Sequence, residues 1–361
     1  GSPGSSGSPS GGQPGAAGHG GVPAGGTSGG GTPASGGAGA GAGGASSSTG
    51  STIVPDASWA CGKPQGIVDP TRGELVFRTT LDVGTVRDVG ATQYGKRRAT
   101  DITGGTISGG KLEATFLSAG LDYELTLSDG SIELEQVGML KAKDGTPIYL
   151  RTCGVAPAGD QVVRVVPSFE AANSSSVAWL NTGDFVATRT LDASAKKLEL
   201  AVYDVSKVTG QAPMITLTKP SGAPSQPWDC AKPSGSKGAE VFTESVTLGG
   251  SLSVGASKNG TRNVIPITGG TITGKLTGTI VSAGADYQLV SGSTTLDARY
   301  VLASGDGEFV IVRNCGPFGA LIPQFETRAA GPYAFLNTGK FISSDPGSAG
   351  GGVKITFYEA K

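Results

Sequence analysis

The sequence predicts an all-β protein: two tandem antiparallel β-barrel domains related by internal duplication, preceded by a disordered Gly/Ser/Ala/Pro leader. Three observations carry that prediction. A set of motifs recurs once, in one order, along the chain. Short β-prone runs alternate with turn signals. The opening segment holds almost nothing that could pack. The expected organisation is a tether over residues 1–54, a first barrel over 55–218, a Pro-rich linker over 219–227 and a second barrel over 228–361.

The leader comes first. From Gly1 to Thr52 the residues are nearly all Gly, Ser, Ala, Pro and Thr, and no charged residue appears before Asp56. Few apolar side chains are available to offset an ordering entropy of ~1–2 kcal/mol per residue. Collagen is set aside, because the spacing of Gly1, Gly4 and Gly7 breaks at Ser10-Gly11-Gly12. The segment reads as a spacer lifting the globular part off a surface, or else as a neutral low-complexity extension. The chain opens on Gly1-Ser2. It therefore reads as processed or trimmed, with any signal peptide or lipidated Cys expected upstream.

The repeat follows. Trp59-Ala60-Cys61-Gly62-Lys63-Pro64 returns as Trp228-Asp229-Cys230-Ala231-Lys232-Pro233. Thr103-Gly104-Gly105-Thr106-Ile107 returns as Thr268-Gly269-Gly270-Thr271-Ile272. Ser118 to Tyr123 matches Ser282 to Tyr287, and Leu180-Asn181-Thr182-Gly183 matches Leu336-Asn337-Thr338-Gly339. The spacing between partners falls from 169 at Cys61/Cys230 to 156 at Asn181/Asn337, so the second copy has shorter loops. An ordered series of this length means duplication. Within each copy, runs such as Leu112–Leu117, Tyr123–Leu127, Val162–Val166 and Lys354–Tyr358 read as strands. Ser128-Asp129-Gly130, Lys143-Asp144-Gly145 and Gly305-Asp306-Gly307 punctuate them as turns. Many short strands at regular spacing predict a sandwich or a closed barrel. A short helix fits between Phe169 and Trp179.

Four cysteines sit two per repeat. The simplest pairing is Cys61–Cys153 and Cys230–Cys315, since a duplicated domain duplicates its own bridge. Such bridges imply an oxidising compartment, hence a secreted, periplasmic or cell-surface protein. Four buried free thiols are the alternative.

Composition excludes several chemistries. The formal charge is -1 and only 16% of residues are charged, which does not suit a phosphate backbone, so no nucleic-acid partner is expected. No apolar run approaches the ~20 residues of a membrane-spanning helix. The one His, His19, lies in the leader. Histidine-based acid–base catalysis, Ser-His-Asp systems and His-rich metal sites are therefore not expected, and neither is a cofactor. Any chemistry would rest on carboxylates, Arg, Tyr and amides.

Such residues do recur: Asp122/Asp286, Glu135/Asp297, Arg151/Arg313, Glu170/Glu326 and Asn181/Asn337. They read either as a polar cluster lining a barrel mouth or as fasteners of loops at a barrel end. The second copy adds Arg299, Tyr300 and Asn314 where the first has Val137, Gly138 and Thr152. The ligand-binding candidates are accordingly Asp286, Asp297, Arg299, Tyr300, Arg313, Asn314, Glu326 and Asn337, with Arg313 expected on an anionic or carbonyl group.

Ile265-Pro266-Ile267-Thr268-Gly269-Gly270-Thr271, Gly284 to Leu289, Leu296 to Tyr300 and Val312-Arg313-Asn314 together resemble the bacterial and fungal domain-of-unknown-function family 3237. The first copy follows the same course more weakly, departing at Val137-Gly138 from the Arg-Tyr pattern. The resemblance implies a compact antiparallel β-barrel and carries no activity with it. Cys315 departs from typical members, which fits a secreted branch. The expected function is a secreted or surface-tethered barrel pair that binds a small molecule or glycan. One alternative is an isomerase, cyclase or lyase working through Asp286, Arg299, Tyr300 and Glu326. Another is a structural or adhesive envelope protein with no pocket.

Overall fold

The computed structural model describes residue 63, residues 67–209 apart from 157, 160, 161 and 193, residues 214–215, and residues 235–361. The leader, the linker, Trp59, Trp228, Cys61 and Cys230 lie outside the described residues.

The first copy is a closed antiparallel barrel. Its long strands are β1 (Glu74–Ala91), β2 (Lys96–Ser108), β3 (Gly120–Thr126), β4 (Ile132–Ala142), β5 (Pro147–Ala156), β6 (Val162–Ala171), β7 (Phe185–Asp192) and β8 (Lys197–Asp204). Each pairs with the next, and β8 returns to β1, with Leu200 opposite Thr79. A short strand, Ala114–Phe116, bridges β2 and β4. Closure leaves no edge exposed. Phe77, Phe169 and Phe185 stack edge to face in the lumen. The short helix expected between Phe169 and Trp179 is displaced: strand runs to Ala171, turns follow, and one 3-10 turn spans Ala178–Asn181.

The second copy repeats this course with β9 (Lys237–Leu248), β10 (Gly260–Gly274), β11 (Gly278–Ser291), β12 (Ser293–Ser304), β13 (Phe309–Pro317), β14 (Ile322–Thr327), β15 (Phe341–Ser343) and β16 (Gly352–Ala360). Strand β15 has three residues where β7 has eight. A backbone hydrogen bond from Ser343 N to Leu321 O (3.3 Å) joins β14 to β15 where the first barrel has a ladder. The second barrel therefore has a seam.

The two barrels pack against each other through a shared core. Tyr123, Val137 and Tyr149 of the first barrel meet Ala285, Tyr287 and Ile311 of the second. The strands at this face are buried on both sides, by lumen and by neighbour. Among the described residues, no helix is long and apolar enough to cross a membrane.

Candidate functional site

Successive side chains on a strand face opposite ways. On β12, Leu296, Ala298 and Tyr300 line the lumen, while Asp297, Arg299 and Val301 face the first barrel. On β13, Asn314 faces the lumen and Arg313 faces outward to Asp297. The sequence candidates thus divide into two groups on opposite sides of one sheet.

The lumen group lines a chamber of about 230 Å³ beside the seam. Its walls are largely apolar, with Val246, Leu248, Ile265, Ile267 and Leu296 on the barrel side. Phe318, Leu321 and Pro346 stand near the seam, and Phe318 is 54% exposed. The polar groups are Asp286, Gln288, Tyr300 and Asn314. Asp286 accepts from Gln288 Nε2 (2.8 Å) and from the Asp297 backbone N–H (3.1 Å). Burial pushes its carboxyl up to about 6, against the pull of those two donors. Tyr300 donates to Glu244 Oε2 (2.7 Å). Burial pushes Glu244 up to about 8, with the Tyr300 bond opposing, so this carboxyl is largely protonated at neutral pH. Asn314 Nδ2 donates to Ser343 Oγ (2.9 Å), and its Oδ1 has no partner among the described residues.

Gln288 is held in turn. Asn263 Nδ2 donates to Gln288 Oε1 (3.1 Å), which leaves the Gln288 amide nitrogen turned toward Asp286. Ser251, at the exposed end, donates to Asn263 Oδ1.

The first barrel shows what the chamber replaces. Register aligns Thr100, Asp122, Gln136 and Thr152 in one row, and Ile265, Asp286, Ala298 and Asn314 in the matching row. Burial also raises Asp122 to about 6, but Arg189 sits on it and opposes the shift, while Glu124 adds to it. Asp286 has no such bonded cation among the described residues. Where the second barrel has Tyr300, the first has Gly138, and a Cβ there would fall 2.4 Å from the Phe116 ring. Phe116 fills in the first barrel the space that Tyr300 occupies in the second.

The outward group is a buried latch between barrels. Arg299 bonds Asp297 Oδ2 (2.9 Å) and reaches across to Glu135 of the first barrel. Arg313 bonds Asp297 Oδ1 (2.7 Å), and Arg151 bonds Glu135 Oε1 (2.7 Å). Burial opposes both carboxylate charges, yet the arginines outweigh it. Asp297 is lowered, and Glu135 falls to about 2. Glu326 accepts from Arg97 Nε (2.9 Å) and Thr92 Oγ1 (2.6 Å) of the first barrel. Its counterpart Glu170 accepts from Arg262 Nε (3.1 Å) and Ser257 Oγ (2.7 Å) of the second. Backbone bonds Ala329 N to Ala91 O and Asn173 N to Ala256 O, both 2.8 Å, repeat the same exchange. The contacts are those of an isologous pair, with each barrel giving the other the same groups.

Arg313 and Glu326 therefore sit between the barrels rather than at a mouth. Asn337 fastens a loop: it accepts from Thr327 N and donates to Thr327 O, both 2.8 Å, as Asn181 does at Ala171. Cys153 and Cys315 are disulfide-bonded. Their expected partners lie outside the described residues.

Sequence reasoning missed Glu244, Gln288, Arg97 and Arg262. The recurrence of Gly95-Lys96-Arg97 as Gly260-Thr261-Arg262 was the available signal for the last two. Glu244 left no such trace, because its counterpart in register is Thr79.

The pattern of the protein family of unknown function DUF3237 matches residues 71–208 and 237–320. A curated relative, the UPF0311 protein blr7842 of Bradyrhizobium diazoefficiens, is 37% identical over 78 residues. That match is 21% of this chain and 51% of the relative. The UPF0311 protein CA_C3321 of Clostridium acetobutylicum is 29% identical over 98 residues, 27% of this chain and 62% of the relative. The chain thus spans about half the length of the first of these relatives. Among solved structures, a protein with unknown function from Clostridium acetobutylicum is similar at 24% identity and a TM-score of 0.34, covering 36% of this chain and 96% of that one. A beta-barrel like protein from Acinetobacter baumannii is similar at 24% identity and a TM-score of 0.32, covering 37% of this chain and 94% of its own.

Proposed function

The chain belongs to the DUF3237 family, and we propose that its second barrel binds a small, mostly apolar molecule bearing one carbonyl or hydroxyl group. One observation carries this reading: Asp286 faces an apolar chamber with no cation bonded to it among the described residues, whereas its counterpart Asp122 is held by Arg189. A concave, apolar site with a few converging polar groups suits a small organic ligand. It suits a glycan poorly, because the walls offer little to sugar hydroxyls. A chamber also counts against a purely structural or adhesive role.

Acid–base chemistry of the isomerase, cyclase or lyase type is the second reading. It is favoured by Asp286, whose carboxyl titrates near 6 beside the Tyr300 phenol. Below that pH the carboxyl donates a hydrogen bond, and above it the carboxylate accepts one. A carbonyl ligand should accordingly bind more tightly as pH falls through about 6.

Secretion or surface tethering completes the proposal, with Cys61–Cys153 and Cys230–Cys315 as the bridges. Support comes from the bonded state of Cys153 and Cys315.

The test is a thermal-shift series with cyclohexanone and benzyl alcohol on wild type and Asp286→Asn. A rise in the melting temperature of the wild type, reduced in the variant, supports the reading. Equal shifts in both proteins, or none in either, count against it.

A further inference from the structure

The first barrel carries its own opening at the place that matches the second-barrel chamber, and its chemistry is the reverse. About 550 Å³ of space lies against Arg98, Thr100, Asp122, Glu124 and Lys196. Asp122, Glu124 and Thr100 stand at the positions of Asp286, Gln288 and Ile265 in register. We propose that this mouth is a second ligand site, fitted to a polyhydroxylated anion of monosaccharide size such as a uronate or a sugar phosphate.

The charges are organised before any ligand arrives. Arg189 bridges Asp122 and Glu124, and Arg98 holds the other oxygen of Glu124. Asp122, Glu124 and Arg189 are all nearly fully buried. A buried ionic cluster of this kind is seldom worth more to stability than apolar packing, so stability alone does not account for it. At the positions of Asp122, Glu124 and Arg98 the second barrel has Asp286, Gln288 and Asn263, so only one of these three charges recurs there.

Two buried atoms in the cluster lack partners among the described residues: Asp122 Oδ1, an acceptor, and Arg189 Nε, a donor. A hydroxyl supplies both complements, since it donates once and accepts twice. The preference for an anion follows from the count of charges. Arg98 and Lys196 line the opening with Asp122 and Glu124, and Arg189 bonds both carboxylates, so three positive charges meet two negative ones. Lys196 is the charge in excess, at the rim. Its neighbour Lys197 pairs with Asp82, whereas Lys196 makes no ion pair among the described residues. Its backbone is held in the left-handed region (φ 51°), and its carbonyl accepts from Val83 N (3.0 Å). Leu191, Leu198 and Val83 supply an apolar wall for the C–H face of a sugar ring.

The test is isothermal calorimetry on the full chain with glucuronate, glucose 6-phosphate and glucose, using Lys196→Glu and Ala298→Phe as variants. Lys196 is exposed and unpaired, so its replacement leaves the fold intact. Ala298→Phe fills the second-barrel chamber and leaves the first barrel alone. At least one of the two anions is expected to bind at one equivalent per chain, more tightly than glucose. Lys196→Glu should weaken that binding about tenfold or more, the range of one charge-assisted hydrogen bond, with Ala298→Phe unchanged. No heat from either anion at millimolar concentration overturns the proposal. So does binding that survives Lys196→Glu, binding lost in Ala298→Phe, or glucose binding as tightly as the anions. The barrel-2 reading stands or falls separately, because its probes are apolar and its variant is Asp286→Asn.

Discussion

Glu244 sits in the lumen wall of the second barrel with Tyr300 as its bonded neighbour and Oε1 unmatched. Burial raises its carboxyl from 4.5 to about 8. The folded state then holds a proton that the unfolded chain releases, so this group contributes most below about pH 4.5 and its contribution falls as pH rises toward 8. The loss is at most ~1.4 kcal/mol per pH unit across that window. Glu244→Gln removes the titration. The variant should therefore gain on the wild type between pH 5 and 8 in urea melts, and parallel curves for the two proteins would contradict the assignment. Residue roles were only half legible in the sequence. Asp297, Ala298, Arg299 and Tyr300 read as one polar motif, yet neighbours on a strand face opposite ways. Parity alone would have parted Tyr300 from Asp297 and Arg299. It could not have shown that the outer face meets a second barrel instead of water.

At the scale of elements, the difference between the barrels is concentrated in one strand. Strand β7 runs Phe185–Asp192 and carries Arg189 onto Asp122. Its counterpart β15 ends at Ser343, so no arginine reaches Asp286 and the wall opens at the seam. The falling offset between repeats announced shorter loops in the second copy but not which strand was cut short. The turn after β14 must still be held, and Asn337 does this with two bonds to Thr327. Asn337→Ala removes both, leaving a buried strand-end amide and carbonyl less well satisfied. A stability loss of ~1–3 kcal/mol is expected in urea denaturation, and Asn181→Ala should behave alike. A loss indistinguishable from zero would mean that water replaces the side chain at no cost. The strands and turns themselves were legible, because alternation and Gly-containing turns are local signals. Pairing across the seam is not local.

On the scale of the whole molecule, the duplication has produced a fused pair whose two halves exchange equivalent groups. Arg97–Glu326 and Arg262–Glu170 are the same bond made twice, and Arg262 also stacks on Tyr149 (4.6 Å to the ring centre). Arg299 then breaks the symmetry by reaching Glu135 from the position of Val137. A core shared by both barrels couples their unfolding, so calorimetry should show one transition for the described pair. Glu135→Gln takes from Arg299 one of its two carboxylates, leaving Asp297, and replaces the carboxylate beside Arg151 by a neutral amide, and that transition should weaken by up to ~3–5 kcal/mol. Two separable transitions in the wild type would contradict the shared core. The recurring carboxylates and arginines were visible in the sequence as conserved between copies. Their use as an interface was not, because a single repeat cannot reveal what its outer face touches.

The proposed ligand goes into the lumen of the second barrel. A crystal soaked in cyclohexanone tests this most directly. The ring should lie in the chamber among Ile265, Leu296 and Ala298, with its carbonyl oxygen toward Asp286 and Tyr300. A chamber holding only water, with cyclohexanone elsewhere on the protein or absent, would contradict it.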